Sequence, residues 1–119
     1  MGRKPTTPVL TADQAQALYK LAASLRKSAA KELNAFHGSI AIYFEDLAAR
    51  SCPSLPSPER HGLSRESVDS TRKALAEHNS ADAIASAVAP IGTFDHDVLE
   101  IIRQDLEAAK CADGEAGAN

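Results

Sequence analysis

Apolar residues recur every three to four positions from Leu18 onward. Leu18, Leu21, Leu25, Ala29 and Phe36 fall on one stripe at about 100° per residue, the period of an amphipathic helix. Lys20, Lys27 and Lys31 lie on the opposite side, so the outer face is basic. Thr11 and Gln14 have the spacing of a capping box, which starts the helix at residue 12. Ile40, Tyr43 and Leu47 continue the stripe in phase. Two arrangements fit: one helix over 12–50, about 60 Å long at ~1.5 Å per residue, or two helices broken at His37-Gly38-Ser39. A small domain is about 30 Å across, and Gly inside a helix costs roughly 1 kcal/mol relative to Ala. The pattern therefore favours a kink or break at Gly38. An unbroken helix would overhang the domain and call for an oligomer.

Residues 51–63 contain Pro53, Pro56 and Pro58 and read as a connector. Ser64 then caps a helix, with Leu63 and Val68 in the positions of a hydrophobic staple. Asn79-Ser80 ends it, and Ser80 caps a short helix of small residues over 81–89, stopped by Pro90. Asp95 caps the last helix, whose buried stripe is Val98, Leu99, Ile102, Leu106 and Ala109, with Ile101 at its edge. Its end is expected near Lys110, followed by a disordered tail over 111–119 rich in Ala, Gly and acids. The fold expected is all-α: a small bundle of four to five helices with a long N-terminal helix. An extended basic arm (1–10) precedes a single helical domain (11–110). The last stripe should pack on Leu18, Leu25 and Phe36.

Composition thins the core. Of 119 residues, 23 are alanine, and Leu, Ile, Val and Phe together number 24. Val68, Leu75, Ile84 and Val88 are the only large apolar groups in 64–89. Thin cores in small chains gain stability by association, which predicts a homodimer or a partner-bound subunit. The expected interface lies on the long helix: Leu18, Leu21, Leu25, Phe36, Ile40 and Tyr43. No run of 18 apolar residues is present, so no transmembrane helix is expected. Met1-Gly-Arg-Lys-Pro lacks the apolar core of a secretory signal. Two cysteines 59 residues apart make neither a disulfide framework nor a zinc motif. A cytoplasmic protein without cofactor or metal is expected.

Charge is divided unevenly. Residues 1–34 hold six basic and two acidic residues, whereas 35–119 hold seven and fourteen. A basic arm (Arg3, Lys4) and helix face (Lys20, Lys27, Lys31) can lie along phosphates, giving weak, salt-sensitive nucleic-acid binding. Specific reading of bases is not expected, because helix 81–89 has no Arg, Lys, Asn or Gln and begins with Asp82.

Two histidines raise chemistry. His37 followed by Gly38 on a helical bundle is similar to histidine-phosphotransfer domains, although those usually place a Lys-Gly pair further along. Arg72 and His78 resemble the Arg-x(4–6)-His motif of small all-α RNases of the HEPN class. The resemblance implies that Arg72 stabilises a pentavalent phosphate and His78 moves the proton. Residues six apart differ by about 120° around a helix, so both must reach sideways. Asp95-His96-Asp97 is explained by acids at a helix N-terminus. Cys52, before Pro53, has no acid or His placed beside it, and Pro53–Pro56 matches a minimal PxxP pattern. The leading expectation is a non-enzymatic adaptor, inhibitor or regulatory subunit. The alternatives are an accessory nucleic-acid-binding protein and a small RNase.

Overall fold

Asn34 is a stronger local signal than Gly38. Its side-chain oxygen accepts a hydrogen bond from the His37 N–H at 3.1 Å and starts a new helix. The computed structural model describes residues 10–118, with side chains through residue 110. Five helices result: α1 (Ala12–Glu32), α2 (Ala35–Ser51), α3 (Arg65–His78), α4 (Ala81–Val88) and α5 (His96–Ala118). The chain is all-α, with no strand among the described residues. None of its helices there is long and apolar enough to cross a membrane. Arg3 and Lys4 lie outside the described residues, as do the side chains of the expected tail.

The long stripe is thus two helices, and the break falls at Leu33 and Asn34. Leu33 takes the left-handed conformation (φ 53°), and its N–H bonds the Ala29 carbonyl. Gly38 sits inside α2, where an added Cβ would stand 3.6 Å from Ala29 Cβ, an ordinary contact. The hydrophobic period ran on in phase because both helices turn their apolar faces to each other. Leu10 pairs with Ser51, Arg26 with Glu45 and Ser28 with His37, so one number falls as the other rises. The two helices are antiparallel, and theirs is the most extensive pairing in the molecule.

Three further caps agree with the sequence. Thr11 and Gln14 form both bonds of the capping box, at 3.0 and 3.1 Å. Ser64 and Ser80 accept from the N–H groups of Ser67 and Ala83. The connector holds one element the prolines had not suggested, a 3-10 turn at Pro58–His61 that starts on Pro58 and closes on left-handed Gly62.

One core cluster joins all five helices. It is rich in alanine (Ala15, Ala22, Ala41, Ala48, Ala76, Ala81, Ala109), which lets backbones approach closely. Gly92 does the same for the α4–α5 turn, since a Cβ there would come within 2.8 Å of Leu21. Val98, Ile102, Leu106 and Ala109 are buried as expected, but α5 packs mainly on α3 and α4 rather than on α1. Phe94, just ahead of α5, meets Phe44 edge-on at 5.8 Å. Helix α2 is the spine. Along it Ile40, Ala41, Tyr43, Phe44, Leu47 and Ala48 are buried, and so are Glu45 and Asp46.

Two predictions follow from these placements. Leu25 is fully buried, so Leu25→Ala should cost about 2–5 kcal/mol in urea unfolding. Leu33→Asn suits the left-handed backbone better and should raise the melting temperature of dilute protein by a few degrees, equivalent to about 1 kcal/mol.

Candidate functional site

A spine helix that buries carboxylates must bring cations to them, because an unpaired charge in the interior is very costly. Glu45 is met by Arg26 of α1, with Nε–Oε2 at 3.0 Å and Nη2–Oε1 at 2.5 Å. His61 stands 3.8 Å from the same carboxylate. Asp46 receives Arg50 Nε at 3.1 Å and Arg65 of α3 at 2.9 Å. Arg65 continues to Asp69 and Glu59, tying the 3-10 turn to α3.

Asp105 of α5 is the densest node and is fully buried. Arg50 approaches it two-pronged, Nη1–Oδ1 and Nη2–Oδ2 both at 3.1 Å. Arg72 donates to both carboxylate oxygens and to the main-chain carbonyl, each at 3.0 Å. The Tyr43 hydroxyl completes the set, donating to Oδ2 at 2.6 Å. Burial alone would push the Asp105 carboxyl up. The hydrogen bonds and charges of the two guanidiniums, with the tyrosine bond, instead hold it at about 2. Burial pushes the Tyr43 hydroxyl well up, and the neighbouring Asp105 charge pushes it further. Arg50 is lowered by burial, but its bonds to Asp105 and Asp46 more than reverse this and leave it raised. Among the described residues no buried side-chain nitrogen or oxygen lacks a partner. The cluster binds α2, α3 and α5 together.

The network places several sequence candidates. Arg72 is bound to Asp105, whereas His78 is exposed and lines two grooves that Arg72 does not line. The structure does not bring the two together. Both ring nitrogens of His37 are engaged: Nδ1 accepts from the Ser28 hydroxyl at 3.0 Å, and Nε2–H donates to the Ala87 carbonyl at 3.1 Å. The ring is buried between α1 and α4, so the exposed imidazole of a phosphotransfer domain is not present at this position. Cys52 lies half-buried against the core beside Ser54. Among the described residues no group of His, Cys, Asp and Glu could hold a metal ion.

The surface candidates divide. Lys20, Lys27 and Lys31 are exposed on α1 and form no ion pair among the described residues. Of the residues expected at an interface, Leu18, Leu21, Leu25, Ile40 and Tyr43 are buried in the chain's own core, and Phe36 is half-buried. Antiparallel pairing of α1 with α2 consumes the stripe that a partner would otherwise cover.

One residue reverses this pattern. Leu33 is 90% exposed, the only large apolar side chain so exposed among the described residues. Between the start of α2 and the second half of α3 lies a mainly apolar groove of about 330 Å³. Phe36, Ala74 and Leu75 form its apolar lining, and Ser39, Ser70, Thr71, His78 and Asn79 its polar part. A second, larger groove of about 430 Å³ between the α3–α4 junction and α5 is lined by charges of both signs. There Arg103 pairs with Asp82, and Lys110 with Glu107. Neither Leu33 nor Asp105 stood out in the sequence. The available signals were a leucine directly before a capping asparagine and a lone acid inside the apolar stripe of α5.

Comparisons with protein-family models, with curated proteins and with solved structures return no match.

The Asp105 cluster generates a pH prediction. Its folded pKa of about 2 lies below the ordinary 3.8. The stabilisation is therefore complete above pH 5 and is lost as pH falls through 4 toward 2. It amounts to about 2 kcal/mol at ~1.4 kcal/mol per unit. Asp105→Asn leaves the Arg72 guanidinium without its counter-charge and Arg50 with Asp46 alone, and should cost about 3 kcal/mol. Denaturation followed between pH 7 and pH 2 should show a smaller acid-induced loss in the variant than in the wild type.

Proposed function

We propose that this chain is a non-enzymatic protein-interaction module, an adaptor, inhibitor or regulatory subunit acting in the cytoplasm. The observation that supports the reading is Leu33. Leu33 is 90% exposed on a left-handed backbone that suits Asn or Gly better, so an apolar side chain is kept where it gains nothing from the described residues and is free to be buried by a partner. Of the groups with catalytic potential, Arg72 and His37 are engaged in bonds that hold helices together, and His78 is exposed away from Arg72.

A second reading rests on Lys20, Lys27 and Lys31. Their exposure, without ion pairs among the described residues, favours an anionic partner such as nucleic acid along α1. Arg26, Arg50, Arg65, Arg72 and Arg103 are by contrast all paired within the chain.

A tagged chain retrieved from its own cells, with and without nuclease, separates the two. The interaction reading expects a stoichiometric protein that survives nuclease and is lost with Leu33→Asn. Nuclease-sensitive retention, together with heparin binding abolished by neutralising Lys20, Lys27 and Lys31, would replace it with the second reading.

A further inference from the structure

We propose that two copies of this chain exchange α1: the hinge at Leu33-Asn34 straightens, α1 and α2 join into one helix, and each α1 packs on the α2 of the other copy. No foreign partner is needed, so the interaction reading above and this exchange stand or fall separately.

The chain is patterned for the open form as well as the closed one. Only Leu33 and Asn34 lie between α1 and α2, and Gly38 is already helical within α2. The apolar residues from Leu18 to Leu47 keep one phase across these two positions. That phase lets two faces meet in the hairpin, and it also makes one unbroken stripe when the helix is straight. Leu33 is the large apolar residue that the hairpin leaves out, at 90% exposure. In a straight helix it lies about 60° round the axis from Leu18, inside the arc flanked by the buried Leu21 and Phe44. Straightening therefore takes Leu33 into the stripe, between Ala29 and Phe36.

The closed hinge is held against backbone preference. Leu33 is the only non-glycine residue with a positive φ, 53°, among the described residues. A Cβ makes that conformation costly, and short strained hinges favour exchange because opening relieves both copies. The Asn34 cap on the His37 N–H holds the closed form locally, and a residue in mid-helix needs no such cap.

The interface survives the exchange. Among the described residues, the one extensive helix pairing of α1 is with α2, so α1 moves as a unit. The Arg26–Glu45, Ser28–His37 and Leu10–Ser51 bonds then form between chains. Register places the hinges. Ser28 bonds His37, and Gly38 stands over Ala29, so both pairs are centred on the hinge. Two straight antiparallel helices in this register set their hinges side by side at a twofold axis, and each Leu33 lies against the other copy.

A cross-link that records the path of the chain tests this. A Cβ at residue 38 would stand 3.6 Å from Ala29 Cβ, within the ~3.5–4.5 Å that a disulfide spans. Ala29→Cys with Gly38→Cys, in the full chain carrying Cys52→Ser and Cys111→Ser, is incubated concentrated just below its melting temperature and then oxidised. Exchange gives disulfide-linked dimers on denaturing gels, whereas protein oxidised first in dilute solution stays a single chain at every concentration. A dimer that cross-links only within each chain has formed without exchange and overturns the proposal. Molar mass by light scattering, on the chain without added cysteines, is the independent measurement. Wild type is expected to pass from one chain to two after concentrated incubation. Leu33→Gly relaxes the closed hinge and weakens the open helix, and should reduce dimerisation about tenfold or more. Asn34→Ala removes the cap and suits a helix interior, and should raise dimerisation about tenfold. A wild type that stays a single chain overturns the proposal, as does a dimer indifferent to both hinge variants.

Discussion

The fold depends on placing carboxylates where water does not reach. Asp105, on the inner side of α5, has its acceptors filled as observed when Arg50 arrives from α2 and Arg72 from α3 together. That condition fixes the rotation of each helix about its axis as well as its distance. Apolar contacts among alanines are permissive, because small side chains fit in several registers. A two-pronged guanidinium contact is not, since both nitrogens must find both oxygens. Asp46 repeats the device with Arg50 and Arg65, and Glu45 with Arg26. The thin apolar core supplies the driving force for collapse, and the ion pairs select one arrangement.

This division of labour explains which parts were legible in the sequence. Helix starts were, because a cap is a local event: Thr11 with Gln14, Ser64 and Ser80 each satisfy N–H groups within three residues. The stripe of α5 was legible for the same reason, as its period is internal to the helix. The break between α1 and α2 was misplaced because two signals competed within five residues. A glycine is costly in a helix by its entropy, but it can be accommodated. An asparagine that caps the next helix actively ends the continuous pattern, and it won.

The ion-pair cluster was not legible at all. Arg72 and Asp105 are 33 residues apart and Arg50 and Asp105 are 55 apart, so no spacing rule connects them. Viewed alone, Arg72 suggested phosphate chemistry, because a guanidinium is suited equally to a phosphate and to a carboxylate. Only the fold decides which anion it meets. The expected interface failed for a related reason. An amphipathic stripe announces that it will be buried but not against what, and here the covering surface came from the same chain after a two-residue turn.

The hairpin also fixes where the chain enters the domain. The Leu10 N–H bonds the Ser51 hydroxyl at 3.0 Å, at the end of α1 farthest from Leu33. About twenty residues of helix at ~1.5 Å each separate the two points by roughly 30 Å. Leu10 therefore stands at the opposite pole of the hairpin from the α1–α2 corner.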